Sequence, residues 1–298
     1  MYKLQLIGAE MSEEDISRAA RNEVFSAADA QRMGHQVRNV MKDDFNFEVP
    51  VESVPLPSSG VVYGSDSPLF RQETIDIRAM TAKEEDILTS RALIKKGTVI
   101  THLLKSCMID KRVDPDEMLS GDRNAIMTAV RITGYGADYN VEVECPACSE
   151  KSKQAFDLAA LPIKRLTIQP VAEGANLFDF VLPVSKKKVR FKFLTGADEA
   201  EIAVVQERKK KQGMTADNLV TQRLMFALQS VDGITDKSKI ATFIRNMPAR
   251  DSLELRRHID MNEPGIEMKS WMDCPSCLEH SEVRLPIGAA FFWPDSDR

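Results

Sequence analysis

From residue 73 onward the spacing of apolar and polar positions reads as a succession of regular elements. ETIDIRAM alternates apolar with polar, as a half-buried strand does. Thr81 and Glu84 then form a capping box that opens the helix TAKEEDILTSRALI, Gly97 interrupts it, and TVITHLLKSCM continues as an apolar helix. VDPDEML reads as a turn and a short helix start. SGDRNAIMTAVRITGYG predicts a further helix, ended by Gly134 and Gly136. ADYNVEVE is a strand with Tyr139, Val141 and Val143 on one face, and SEKSKQAFDL returns as its partner. FDFVLPV and KVRFKFL predict two strands around a basic turn. Helices are expected over 197–211, over 215–231 after the break at Gly213, over 236–246, and over 248–261 with Pro248 near the first turn. IEMKSWMD is a strand, and SEVRLPIGAAFFWP leads away from it.

The first 72 residues follow another pattern. Leu4–Ile7 is strand-like, and Ser12 to Asp15 resembles a helix start. Residues 27–41 form a mostly polar helical stretch whose apolar stripe of Met33, Val37, Val40 and Met41 is narrow, which suits docking on a partner. In 44–72, Pro50, Pro55, Pro57 and Pro68 impose extended geometry. Apolar residues from Phe45 to Phe70 are interleaved with them. A flexible linker is the plain alternative, but the apolar side chains favour an extended arm lying on another surface, either its own protein's or a neighbour's. No internal repeat or low-complexity segment accompanies these patterns, apart from one duplicated cysteine motif.

Composition narrows the class. The chain of 298 residues is 43% hydrophobic and 29% charged, which allows a packed core and argues against general disorder. A formal net charge of -5 does not favour broad binding to nucleic acid or to a membrane surface. No apolar run is long enough for a membrane helix, and the N-terminal residues lack a signal-peptide core. Two basic runs stand against the acidic background: Lys186, Lys187, Lys188, Arg190 and Lys192, and then Arg208 to Lys211. A solvated basic face is the expectation, ahead of contact with an acidic partner protein, with nucleic acid last because no stacking aromatics share that face.

The chemistry lies in the cysteines. Four of the five occur as two Cys-Pro-x-Cys turns, Cys145/Cys148 and Cys274/Cys277, with Cys148 and Cys274 126 positions apart. A CxxC turn presents two sulfurs on one side of a tight loop. A structural zinc needs four ligands in a tetrahedron, so two such turns between strands make one zinc ribbon. The long spacing is no obstacle if an inserted domain returns its ends to one place, because closure entropy grows slowly with loop length. Four unliganded thiols are the alternative; a redox role is disfavoured because neither CxxC opens a helix. His280 is expected beside the site or on the surface rather than as a ligand, and Cys107 in a plain core role. No phosphate loop, GxSxG or HExxH occurs, and the four histidines are scattered, so catalytic residues and an enzymatic function are not expected.

MTAKEEDILTS, LSGDRNAIMTAVRITGYGADYNVEVECPACSEK and the terminal LPIGAAFFWP together resemble the baseplate proteins of contractile-tailed, T-even-like phages. The resemblance covers roughly 73–298. It implies a non-enzymatic structural or assembly role in the virion tail baseplate, at the central hub or tube-proximal end. It also implies assembly in the host cytoplasm, tail and hub proteins as partners, and several copies in a symmetric ring. Alternatives are an assembly factor absent from the virion and a zinc-ribbon nucleic-acid-binding protein. The expected fold is α+β: a four-cysteine zinc-ribbon module with a mainly helical insertion and an extended N-terminal arm. The expected units are 1–72 (helices and partner-binding arm), 73–165 (helices and first knuckle), 166–268 (hairpin and helical insertion) and 269–298 (second knuckle and tail). Phe291, Phe292 and Trp293 are expected to plug the core rather than anchor a partner.

Overall fold

The computed structural model describes residues 49–211, 219–287 and 289–292, so the elements expected before residue 49, Met214 to Asn218, and Trp293 lie outside the described residues. Strand β1 (Val51–Pro55) pairs antiparallel with β2 (Thr74–Arg78), from Val51 opposite Arg78 to Pro55 opposite Thr74. Between them, Leu56, Val62, Tyr63 and Leu69 are buried in the same core as the helices that follow. The expected arm, from Val51 onward, therefore lies on its own protein. Only 51–55 is extended as expected: Pro57 and Pro68 fall in turns that fold 57–71 back on the body, and the apolar residues between them supply the burial.

Helix α1 (Ala82–Thr89) opens at the predicted capping box, with the Thr81 N–H donating to Glu84 Oε2 at 3.0 Å. The expected continuous helix breaks at Ser90, and α2 (Arg91–Lys96) buries no side chain, so no packing holds it in line with α1. Gly97 ends α2 at φ +71. Helix α3 (Val99–Cys107) buries Leu103, Leu104 and Cys107 against α1, and α4 (Ser120–Tyr135) runs through the centre with Ile126 and Val130 buried. The structural role expected of Cys107 follows from its full burial, which pushes its thiol up to about 12.

Helix α4 leads into the hairpin of β3 (Asp138–Glu144) and β4 (Lys151–Asp157). After a short 3-10 turn, the two-residue β5 (Ile163–Lys164) begins the excursion between the cysteine pairs. It holds a three-stranded sheet in the order β6 (Phe178–Val181), β7 (Lys188–Phe191), β8 (Leu228–Val231), together with helices α5 (Gly196–Lys211), α6 (Leu219–Ala227), α7 (Lys237–Asn246) and α8 (Ala249–Asn262). The helix expected over 215–231 therefore stops at Ala227. Leu228, Ser230 and Val231 are buried as a strand on β7, because the β7 edge offers them backbone partners that a longer helix would leave unused. The excursion closes where β9 (Gly265–Ile266) pairs with β5, Ile163 opposite Ile266. The last hairpin is β10 (Lys269–Asp273) with β11 (His280–Arg284). The fold is mixed helix and sheet, with eight helices and several small sheets among the described residues.

Three buried carboxylates fasten long-range contacts. Asp122, in the first turn of α4, accepts from the Ser58 N–H (2.9 Å), the Ser58 hydroxyl (2.5 Å) and the Tyr63 hydroxyl (2.6 Å), and so ties the 56–63 loop to the helix start. Burial raises the Asp122 carboxyl above its ordinary range despite these bonds. Glu84 takes Arg78 at 2.6 Å and the Ser106 hydroxyl at 2.6 Å. Asp251 accepts the N–H groups of Val184 and Ser185, fixing the turn between β6 and β7. Beside Asp122, Gly121 has no room for a side chain, since a Cβ there would collide with the Pro264 carbonyl oxygen.

Candidate metal centre

Each Cys-Pro-x-Cys sits at the tip of one of the two hairpins, and both tips adopt the same local structure. In the first, the Cys145 N–H donates to the Glu150 carbonyl (2.9 Å) and the Ser149 N–H to the Cys145 carbonyl (2.8 Å). In the second, the Cys274 N–H donates to Glu279 (3.0 Å) and the Leu278 N–H to Cys274 (2.9 Å). Ser149 and Leu278 both stand at φ 61, so the turns agree in hydrogen bonds and in dihedral angle.

The hairpins bring all four sulfurs together. The Sγ atoms of Cys145, Cys148, Cys274 and Cys277 lie within 4.8 Å of one another. Cys145 and Cys277 are 3.8 Å apart, and Cys148 and Cys274 3.7 Å. No sulfur is in a disulfide. Four thiolates about 2.3 Å from a central zinc stand about 3.8 Å from each other, so the contact distances are those of a tetrahedral sulfur cage. The first cysteine of each pair is buried and the second exposed. The N–H groups of Cys277 and Ser276 point at the Cys274 sulfur and hold that thiol down to about 7. The Glu150 N–H draws on Cys148 in the same way, but the neighbouring sulfurs outweigh it and push the thiol up to about 12.

His280 is not part of the cluster. Its Nδ1 lies 2.7 Å from Asp273 Oδ1, and its ring stacks on Trp271 with centroids 4.8 Å apart, on the exposed face of the second hairpin. Among the described residues this cysteine set is the one group of His, Cys, Asp or Glu with metal-ligand spacing.

The hairpins are joined a second time at their roots. Arg131 on α4 is fully buried, and its guanidinium donates to three carbonyls: Phe291 (2.7 Å), Gly136 (2.7 Å) and Asp138 (3.0 Å). The Tyr139 hydroxyl donates to the Pro286 carbonyl at 2.7 Å, and its ring meets Phe291 edge-on at 5.3 Å. The chain leaving the second hairpin is thus fastened to the start of the first, with Phe291 and Phe292 buried. The sequence pointed to α4 as a helix but gave no sign of this role for Arg131; the signal available was an arginine on an otherwise apolar helical face.

Four of the five cations of the basic run around β7 pair with three carboxylates within the chain. Lys187 pairs with Asp232, Lys188 and Arg190 with Asp179, and Lys192 with Asp198. Val189, Phe191 and Phe193, on the opposite side, are buried as their alternation requires. Four cations with carboxylate partners form a poor phosphate-binding surface. Among the described residues, no helix is long and apolar enough to cross a membrane.

The class the fold defines is a mixed helix-and-sheet body in which two cysteine turns far apart in sequence meet in one cluster that could hold a metal ion. The family model described as T4 bacteriophage base plate protein matches residues 51–293, and the chain belongs to that family. No curated protein and no solved structure matches it. The match includes β1 and the loop after it, so the family body begins before residue 73, where the sequence resemblance was first drawn. The chain is a structural protein of a phage tail baseplate.

Proposed function

We propose that the four cysteines hold one structural zinc ion, making the paired hairpins a zinc ribbon. The chain then works as a non-enzymatic baseplate part at the hub or the tube-proximal end, in several copies set in a ring against neighbouring tail proteins. The observation that carries the zinc reading is the cluster itself: four free sulfurs within 4.8 Å, presented by two turns of the same structure. A resident ion would offset half of the charge of four thiolates and tie together segments that are distant in sequence. Family membership supports the baseplate role, and the paired cations on β7 argue against nucleic acid as the partner.

Metal analysis of the full chain, purified under reducing conditions, is expected to give one zinc per chain. Chelation is expected to lower the thermal midpoint. A metal-free chain of unchanged stability overturns the zinc reading. Mass spectrometry of purified virions tests the baseplate position, and absence of the chain from the particle would make it an assembly factor instead.

A further inference from the structure

The geometry points to a second state of the same cluster: under peroxide, the four thiols close as two disulfides across the hairpins, Cys148 with Cys274 and Cys145 with Cys277. This rests on the sulfur positions, and any metal ion the cluster holds is released to solvent as its sulfurs are oxidised, so it goes beyond the zinc reading.

Two observations select that pairing. The two sulfur contacts at 3.7 and 3.8 Å both run between hairpins. Each contact also joins one exposed sulfur to one buried sulfur. An exposed sulfur is the one a dissolved peroxide reaches first, and it gives up its proton as it reacts. Cys148 or Cys277 attacks one oxygen of hydrogen peroxide, becomes a sulfenic acid and releases water. The buried sulfur in contact, Cys274 or Cys145, then attacks that sulfenic sulfur, and the hydroxyl leaves as a second water. For each bridge, two thiols and one peroxide give one disulfide and two waters, with sulfur oxidised and the peroxide oxygens reduced.

The pairing matters for stability. A disulfide inside a Cys-Pro-x-Cys turn closes a ring of four residues and constrains little of the unfolded chain. A bridge between hairpins closes the whole excursion and restricts the unfolded chain far more. Oxidation would thus replace one staple by another at the same place. A baseplate protein leaves a reducing cytoplasm when the particle is released, so a staple that survives oxidation suits it.

The test uses the full wild-type chain, so no variant has to fold. Zinc is measured first. The chain is then treated with hydrogen peroxide, alkylated, digested with trypsin and mapped without reduction. Cys145 and Cys148 fall on the tryptic peptide Ile132–Lys151, and Cys274 and Cys277 on Ser270–Arg284. The expected result is that these two peptides run as one joined species, with fragmentation assigning 148 to 274 and 145 to 277. The oxidised chain is also expected to melt several degrees above the reduced, chelated chain. Separate peptides with internal disulfides, cysteines oxidised to sulfonic acid without bridges, or no gain in melting temperature each overturn the proposal. Zinc content before oxidation judges the zinc reading alone: a zinc-free chain that still joins the two peptides removes that reading and leaves this one standing.

Discussion

The two hairpins are near-copies at the sulfurs and unlike everywhere else. Their turns share hydrogen bonds and a left-handed residue, yet their outward faces diverge. The first shows charge, with Glu142 and Glu144 on β3 and Lys151 and Lys153 on β4 all exposed. The second also exposes charge, at Lys269, Asp273, Glu282 and Arg284, but adds large apolar groups, with Trp271 59% and Leu278 84% exposed. The left-handed position is Ser149 in one turn and Leu278 in the other. What the two have in common is what presenting two sulfurs demands. What differs is free of that demand, and answers to whatever each hairpin faces.

The strongest way to break this comparison is to remove a sulfur from each side. Cys145→Ser and Cys274→Ser are each expected to abolish zinc binding and to cost more than about 3 kcal/mol, lowering the thermal midpoint alike. Full zinc retention in either variant would show that the turns are not halves of one site. Arg131→Met sharpens the comparison at the roots. It strips three carbonyls of their donor and is expected to cost about 2–4 kcal/mol by denaturant melting, with zinc content unchanged. Loss of zinc as well would mean that the roots set the sulfur positions.

Acid separates the centre from the rest of the core. Burial pushes the Glu84 carboxyl up, but hydrogen bonds from Arg78, Ser106 and Thr81 more than offset this and hold it at about 2, against an ordinary value of 4.5. A carboxyl with a lowered pKa stabilises the fold above its unfolded value, and that contribution fades as pH falls from about 4.5 toward 2. Glu84→Gln is expected to flatten the acid limb of the stability curve in that window while leaving zinc content at neutral pH intact; an unaltered limb refutes it. The smallest effect is expected at the turns. Leu278→Gly relieves a side chain held at positive φ and should stabilise by up to about 1 kcal/mol, whereas Ser149→Gly should change stability less. Chemical denaturation of both variants side by side checks the difference, and a loss of stability in Leu278→Gly would show that the exposed leucine packs on something.

Local chemistry was legible in the sequence and long-range partnership was not. The Thr81–Glu84 cap, the end of α2 at Gly97 and the cysteine turns each depend on a few adjacent residues, and each is found where its pattern places it. Residues 228–231, LQSV, place their apolar residues at helical spacing, and only the edge of β7, distant in sequence, draws them into a strand. Asp122 carried a visible helix start, but its partners Ser58 and Tyr63 lie in a proline-rich stretch that by itself suits a linker as well as a packed loop. The metal-ligand set could be proposed from sequence because thiol chemistry is specific. The faces of the hairpins could not, since exposure is a property of the assembled fold.

The distance between the two cysteine turns bears on synthesis. A ribosome delivers Cys145 and Cys148 early, and the second pair only after the whole excursion has emerged. Until then the chain holds half a set of sulfurs, with nothing across from them. A chain broken off anywhere before Cys274 can never complete the cluster, nor place Phe291 under Arg131. The two fastenings therefore wait on the second hairpin: the stability they confer is reserved for chains in which it has been made, and copies broken off before it are left loose and open to proteolysis before they can enter an assembly.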